Sequence, residues 1–382
     1  MRNKIIDFLD LGAQPLANNF INKKKLLNKE RKYRLIICFN KINKLVSIKK
    51  IISSNDMFND KYPYRSSMSK TMRVHLKKLS NIIKKSKPKK ILEIGSNDGC
   101  FIKNFEKNKT IGIEPCANVE KITKKNNYNT YPEYWTPKLA SKIIKKHNKV
   151  DLIFSSNTIS HIKNLDDVFK GINIALDDKG IFIMEDPSLL ECLKKNTYDQ
   201  FYNEHIYVFS YLGLSNALKK HNLEIFKIEK LEIHGGSNRY YIKKNLNSIK
   251  LHKSVRNHMY EEKKFGIDNL KTYKNFAKRV KLSKKKLLHI FKNCKKNNKK
   301  VIGYGATAKS VTILNYCNIN NKMIDYFIDT TPDKQNKYTP GTKILVKKEI
   351  NLIDDNVDFV FLGAWNFQKE IFNKEKKYIK NG

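Results

Sequence analysis

The sequence predicts an α/β protein: a Rossmann-like core, a small β-rich module before it and a second Rossmann-like α/β unit after it. Three observations carry this expectation. Ile91-Leu92-Glu93-Ile94-Gly95-Ser96-Asn97-Asp98-Gly99 reads as a buried parallel strand running into a Gly-rich turn. Residues 88–245 as a whole alternate strand and helix patterns. From residue 300 a second strand, Val301-Ile302-Gly303-Tyr304, enters its own Gly-rich turn and a helix.

Taken in order, residues 1 to about 60 read as β-rich. A strand around Phe8–Leu11 leads into a Pro-anchored turn at Pro15, and Tyr33–Cys38 and Lys44–Ile48 alternate as a hairpin. Residues 61–69 form a polar, aromatic loop, with Ser69 placed to cap a helix over 70–85. Met72, Leu76, Leu79 and Ile83 recur there at helical spacing. After the Gly-rich turn, Cys100–Phe105 reads as the start of a helix, and Thr110-Ile111-Gly112-Ile113-Glu114 as the second strand. Helices follow near 117–125 and up to about 147, then a strand at 150–157 and a helix at 164–176. The stretch Asp177–Gly180 reads as a turn into a strand at 181–186. Residues 250–298 are lysine-rich and helical, with Tyr273, Phe276, Val280 and Leu287 at helix-compatible spacing, and read as a connector. The expected units are 1–65, 66–247, 248–298 and 299–382.

Chemistry concentrates at the first turn. Glycines let the backbone approach a ligand, and a helix N-terminus presents unpaired N–H groups to it. Glu114 stands nineteen residues after Gly95, close to the spacing at which an acid takes a ribose hydroxyl. The turn Gly95-Ser96-Asn97-Asp98-Gly99 is one glycine short of the dinucleotide fingerprint and acidic where a pyrophosphate would sit. This favours an adenosine-bearing cation without phosphates, S-adenosylmethionine (SAM). Strand ends place Gly95, Glu114, Asn157 and Glu185 on one side of the sheet. In the second unit, Lys309 stands in the first turns of a helix, where it could meet a phosphate.

The chain has 77 Lys and Arg against 36 Asp and Glu, a formal net charge of +41. Only eight of the basic residues are arginines, and the lysines are spread along most of the chain. A surface that tracks nucleic acid is local and uses arginine, so a solvated lysine coat is expected, with no specific nucleic-acid partner. No run of about 18 apolar residues occurs, so no transmembrane helix or membrane partner is expected. The N-terminus is too acidic for a signal peptide. Six scattered cysteines suit a reducing compartment, and a cytoplasmic monomer is expected.

Several motifs in one order resemble a known family. They are Leu11-Gly12-Ala13-Gln14-Pro15-Leu16-Ala17-Asn18, the Glu93–Gly99 turn, Gly112-Ile113-Glu114-Pro115, Tyr202-Asn203-Glu204-His205 and His234-Gly235-Gly236-Ser237-Asn238-Arg239. Gly303–Lys309 and Gly363-Ala364-Trp365-Asn366-Phe367 complete the set. Over nearly its whole length the chain resembles the SAM-dependent sugar C-methyltransferases, which act on nucleotide-linked 4-keto-deoxyhexoses. The resemblance implies a class I methyltransferase core. It implies cofactor contacts at Glu93, Gly95, Asn97, Gly99, Glu114, Pro115 and Asn157, and a nucleotide-linked keto-deoxysugar as substrate. It also implies that Tyr62 or Tyr64 reaches the sugar. Two departures stand out. The four-cysteine zinc site of the family is reduced here to Cys38, with Lys41 where its partner would be, and one thiolate cannot make a tetrahedral site, so zinc is not expected. The chain stops at Lys380-Asn381-Gly382, a turn signal, where one more strand is expected.

Methylating carbon needs a carbanion equivalent, which a ketone supplies once a base removes its α-proton. His205 is the expected base, with Glu204 or another carboxylate fixing its tautomer and Tyr202 donating to the enolate oxygen. His161 is expected to be structural or near the methionine end of the cofactor. Arg239 either pairs with an acid or touches substrate. The alternatives are an O- or N-methyltransferase, which needs no carbon-acid base, and a basic nucleic-acid-binding protein with a degenerate methyltransferase fold.

Overall fold

Strand Ile91–Ile94 lies inside a seven-stranded sheet of the computed structural model, which describes residues 4–246 and 250–380. The chain start at Met1–Asn3, the unit boundary at 247/248 and the Asn381-Gly382 turn signal lie outside the described residues. Across the sheet the order is Leu223–Leu231, Ser237–Lys244, Leu176–Pro187, Val150–Ser156, Ile91–Ile94, Thr110–Ile113 and Thr130–Tyr131. The last five run parallel, and Ser237–Lys244 is antiparallel to both its neighbours. Helices cover both faces, so Ile91, Leu92 and Ile94 are all buried, as the apolar run of a parallel strand requires. Helix Lys70–Lys84 turns Met72, Leu76, Leu79 and Ile83 onto one face, and the Ser69 side chain accepts the Met72 N–H at its start.

Two local expectations are corrected. Cys100–Phe105 makes no α-helix; only a 3₁₀ turn, Ile102–Asn104, forms. The Asn104 side chain donates to the carbonyls of Cys100 and Phe101 at 3.0 and 2.9 Å. It thereby occupies the acceptors a continuing helix would use. The Asp177–Gly180 stretch is not a separate turn but part of a strand, Leu176–Pro187, that begins by pairing Leu176 with Val150.

The N-terminal residues form an antiparallel sheet of Ile5–Pro15, Lys32–Asn40 and Val46–Ile48, and its fourth strand is Tyr207–Val208 from far along the chain. The lysine-rich helix Leu270–Lys296 is more than a connector. It buries Tyr273, Phe276 and Val280, and Tyr273 stacks on Phe39 with ring centroids 4.6 Å apart. One apolar core thus runs from the N-terminal sheet through this helix into the C-terminal unit. That unit has four parallel strands, in the order Leu345–Lys347, Tyr326–Ile328, Val301–Tyr304 and Phe359–Leu362. No helix of the described residues is long and apolar enough to cross a membrane.

Cys38 is a buried thiol whose Sγ donates to Asp7 Oδ1 at 3.2 Å, while Asp7 Oδ2 accepts Lys49 Nζ at 2.6 Å. Burial, then Asp7, pushes the thiol up to about 12.

Glu185 does not reach the ligand side of the sheet as its position suggests. It is fully buried, holds Arg239 Nε at 2.6 Å and meets His75 Nε2 at 2.8 Å. Arg239 Nη1 reaches on to Glu229 at 2.7 Å. Burial alone would raise the Glu185 carboxyl, but His75 and then Arg239 outweigh it and hold it below its ordinary value. Arg239 is therefore committed to acids of the fold.

Candidate active site

A cavity of about 480 Å³ opens where the three units meet, within the size range of small-ligand sites. One end is built by the first turn. Gly95 has φ 75°, and a Cβ there would lie 2.1 Å from the Thr158 Oγ1, so no other residue fits. The Asn97 N–H donates to Glu114 Oε2 at 2.9 Å, and the Cys116 N–H to Glu114 Oε1 at 2.8 Å. Asn97 Oδ1 accepts the Ser66 N–H at 2.8 Å and Nδ2 donates to the Tyr64 carbonyl at 3.3 Å, tying the 61–69 loop to the turn. Glu93 is buried with Oε2 unpaired. Burial drives its carboxyl well above the usual range, with Asp98 and Glu114 adding to the push.

Glu93, Gly95, Asn97, Glu114, Pro115 and Asn157 all line this cavity. Gly99 does not; it borders a separate cleft with Asp98 and Thr123. Its φ of 77° and a would-be Cβ 2.8 Å from Thr123 mark it as the residue that lets the turn pack on helix Ala117–Lys125.

The middle of the cavity is built by the segment between the 3₁₀ turn Tyr198–Gln200 and strand Tyr207–Val208. Phe201 and Ile206 anchor it in the core. His205 Nδ1 lies 2.7 Å from the Gln200 carbonyl oxygen, and Nε2 lies 2.7 Å from the Tyr202 hydroxyl. A carbonyl only accepts, so the ring proton is on Nδ1 and Nε2 offers its lone pair to the Tyr202 O–H. Burial holds His205 well below its ordinary value, and His161 and Lys309 reinforce this. Burial and then Glu204 hold the Tyr202 phenol well above its own. Both groups are neutral.

The expected Glu204–His205 link is absent. Glu204 Oε1 accepts Asn18 Nδ2 at 2.7 Å, and Oε2 accepts the Tyr62 hydroxyl at 3.3 Å. Adjacent side chains diverge here, so a backbone carbonyl, which carries no side-chain signature, takes the orienting role instead. Burial raises the Glu204 carboxyl to about 7. Tyr62 and Tyr64 both line the cavity, Tyr62 buried and Tyr64 partly exposed. His161 lines it too, its ring centroid 5.0 Å from that of His205, and burial lowers it to about 4.

The far wall comes from the C-terminal unit. The Ala306 N–H donates to Asp329 Oδ2 at 2.9 Å, the same turn–acid arrangement as Asn97 with Glu114. Lys309 is buried on this wall, its Nζ donating to the His234 carbonyl at 3.2 Å. Lys334, which the sequence did not single out, lines the cavity beside Asp329.

Residues 64–228 match the family model described as a methyltransferase domain, and residues 232–382 the one described as the C-methyltransferase C-terminal domain. The C-methyltransferase NovU of Streptomyces niveus is 26% identical over 383 residues, covering 99% of this chain and 91% of that protein. The chain belongs to the SAM-dependent C-methyltransferases. Among solved structures, a Pyrococcus horikoshii protein overlaps this C-methyltransferase at a TM-score of 0.36, with 18% identity over 47% of this chain and 94% of that one. A SAM-dependent methyltransferase of Anabaena variabilis overlaps at 0.32, with 16% identity over 41% and 76%. Overlaps this partial add nothing to the family models. The boundary between the two models falls within the central sheet of the C-methyltransferase, whose strands continue to Lys244.

The turn fits SAM on its own chemistry. SAM carries a sulfonium and an ammonium, and the buried Glu93 carboxyl has an oxygen without a partner and is pushed up by burial and by the neighbouring Asp98 and Glu114. A cation placed there relieves that cost.

Proposed function

We propose that this C-methyltransferase methylates the carbon beside the keto group of a nucleotide-linked deoxysugar, with His205 as the base. The His205–Tyr202 pair in the middle of the cavity is the observation that carries this reading. SAM, held by Glu93, Gly95, Asn97, Glu114, Pro115 and Asn157, supplies a methyl group on a positively charged sulfur. That group reaches carbon only if the carbon holds an electron pair. His205 Nε2 takes the α-proton to make the enolate. The Tyr202 hydroxyl, which occupies Nε2 in the free protein, turns to the keto oxygen and donates to it as negative charge develops there. One reorientation thus frees the base and supplies the oxyanion donor. Methyl transfer to oxygen or nitrogen would use neither group in this way.

The nucleotide part of the reading is supported by the opposite wall. A second turn, with the start of helix Ala308–Cys317, Lys309 and Lys334, faces the same cavity, and such N–H groups and cations suit phosphate. The decisive experiment offers the protein a panel of nucleoside diphosphate 4-keto-deoxysugars with labelled SAM, read by mass spectrometry. A label on ring carbon is expected; a label on oxygen or nitrogen rejects the reading.

Two further outcomes are expected. Glu114→Ala leaves the Asn97 and Cys116 N–H groups without acceptors, so SAM affinity measured by calorimetry should fall by about 1–3 kcal/mol, roughly 5- to 150-fold. Unchanged affinity would remove Glu114 from the site. The pH profile should also betray the state of His205. Its protonated form is disfavoured by burial, so its titration lies below the ordinary value of about 6.5, and α-proton exchange should show no fall centred on that ordinary value. A fall centred near the ordinary histidine value would mean that the base is another group.

A further inference from the structure

The geometry points to Gln200 and His234 as the pair that reads a hydroxyl or amino substituent on the ligand ring near the reacting carbon. This assignment rests on the proposed substrate class and adds a specificity determinant to it.

Gln200 is buried on the cavity wall with three polar groups. Its backbone carbonyl holds His205 Nδ1 at 2.7 Å. Its side-chain Nε2 donates to the His234 carbonyl at 2.6 Å. A carbonyl cannot donate, so this contact fixes which end of the amide is nitrogen. The third group, Oε1, is buried with no partner.

His234 faces the same cavity with φ 53°, a left-handed conformation unusual for a residue other than glycine. What holds it there is visible. Its carbonyl accepts both Gln200 Nε2 and Lys309 Nζ, and the next residue, Gly235, packs so closely on the Trp365 ring that a Cβ would lie 2.1 Å from it. The result is an imidazole whose Nε2 is buried and unpaired. Each unpaired buried group costs about 1–3 kcal/mol, so a site that keeps two of them awaits a partner. A hydroxyl or an amine both donates and accepts and so suits either group, whereas a methylene suits neither. Gln200 also orients His205, so the reader of the substituent and the support of the base are one residue.

The test uses His234→Asn. Asparagine tolerates the left-handed backbone and keeps the carbonyl that Gln200 and Lys309 hold, so only the imidazole is lost. The probes are a nucleoside diphosphate 4-keto-6-deoxyhexose and its 2-deoxy and 3-deoxy counterparts. The readout is kcat/KM for exchange of the α-proton with deuterated water. Wild type should prefer the probe that carries the recognised hydroxyl by on the order of 100-fold or more. His234→Asn should bring the preference to within about 3-fold through loss on that probe alone, with SAM affinity and unfolding midpoint unchanged. An equal loss on all probes, or an unchanged preference, overturns the assignment while leaving the proposed function standing. A wild type that neither binds nor exchanges any probe overturns the proposed function, and this assignment with it.

Discussion

His205→Asn is expected to cut catalysed exchange of the substrate α-proton by about 10²- to 10⁴-fold, the usual worth of a positioned base. Exchange in deuterated water isolates proton removal from methyl transfer. Asparagine can still bond the Gln200 carbonyl but offers no basic nitrogen, so the segment from Phe201 to Ile206 should stay seated in the core. Fold and SAM affinity should therefore match wild type. Tyr202→Phe should slow exchange by less. It removes the donor to the enolate oxygen but also uncovers the Nε2 lone pair that the hydroxyl occupies at 2.7 Å. The ordering of the two variants is the sharper check. If His205→Asn exchanges as fast as wild type, the base lies elsewhere, and Glu204, whose carboxyl is raised to about 7, is the next group to replace.

Arg239→Met should destabilise the protein by about 3–5 kcal/mol, because it strands the fully buried Glu185 without its guanidinium partner. The sign of the pH effect follows. In wild type the Glu185 carboxyl is held below its ordinary value. Its ionised form therefore contributes stability above the unfolded value, about 4.3, and that contribution is lost as pH falls through the depressed folded value. In the variant His75 alone opposes burial, so the carboxyl should rise from its depressed value and protonate sooner, and the gap between variant and wild type should narrow as pH falls. Urea unfolding at neutral and acidic pH measures both effects. A variant that loses activity while keeping its unfolding midpoint would instead place Arg239 at the substrate.

Much of this was legible in the sequence because it is local. A strand, a Gly-rich turn and an acid nineteen residues on are close along the chain. Their geometry follows from backbone conformation at Gly95 and from the period of buried residues. The same holds for the helix over Lys70–Lys84 with its Ser69 cap. The Tyr202-Asn203-Glu204-His205 segment likewise places its tyrosine and histidine three residues apart, near enough to meet. What tertiary structure alone decided is which partner each group took. Glu204 is next to His205 in sequence, yet it turns to Asn18 and Tyr62, and the Gln200 carbonyl orients the histidine. Main-chain carbonyls are the same in every residue, so no sequence pattern marks the one that matters. Gly99 packs on a helix where Gly95 faces the cavity, though both have positive φ. The cavity itself is assembled from residues as far apart as Asn18, Glu93, His205 and Lys334. Their meeting depends on a shared core that joins the N-terminal sheet, helix Leu270–Lys296 and the C-terminal unit. Burial against distant segments sets that arrangement, and it leaves no spacing along the chain by which to read it.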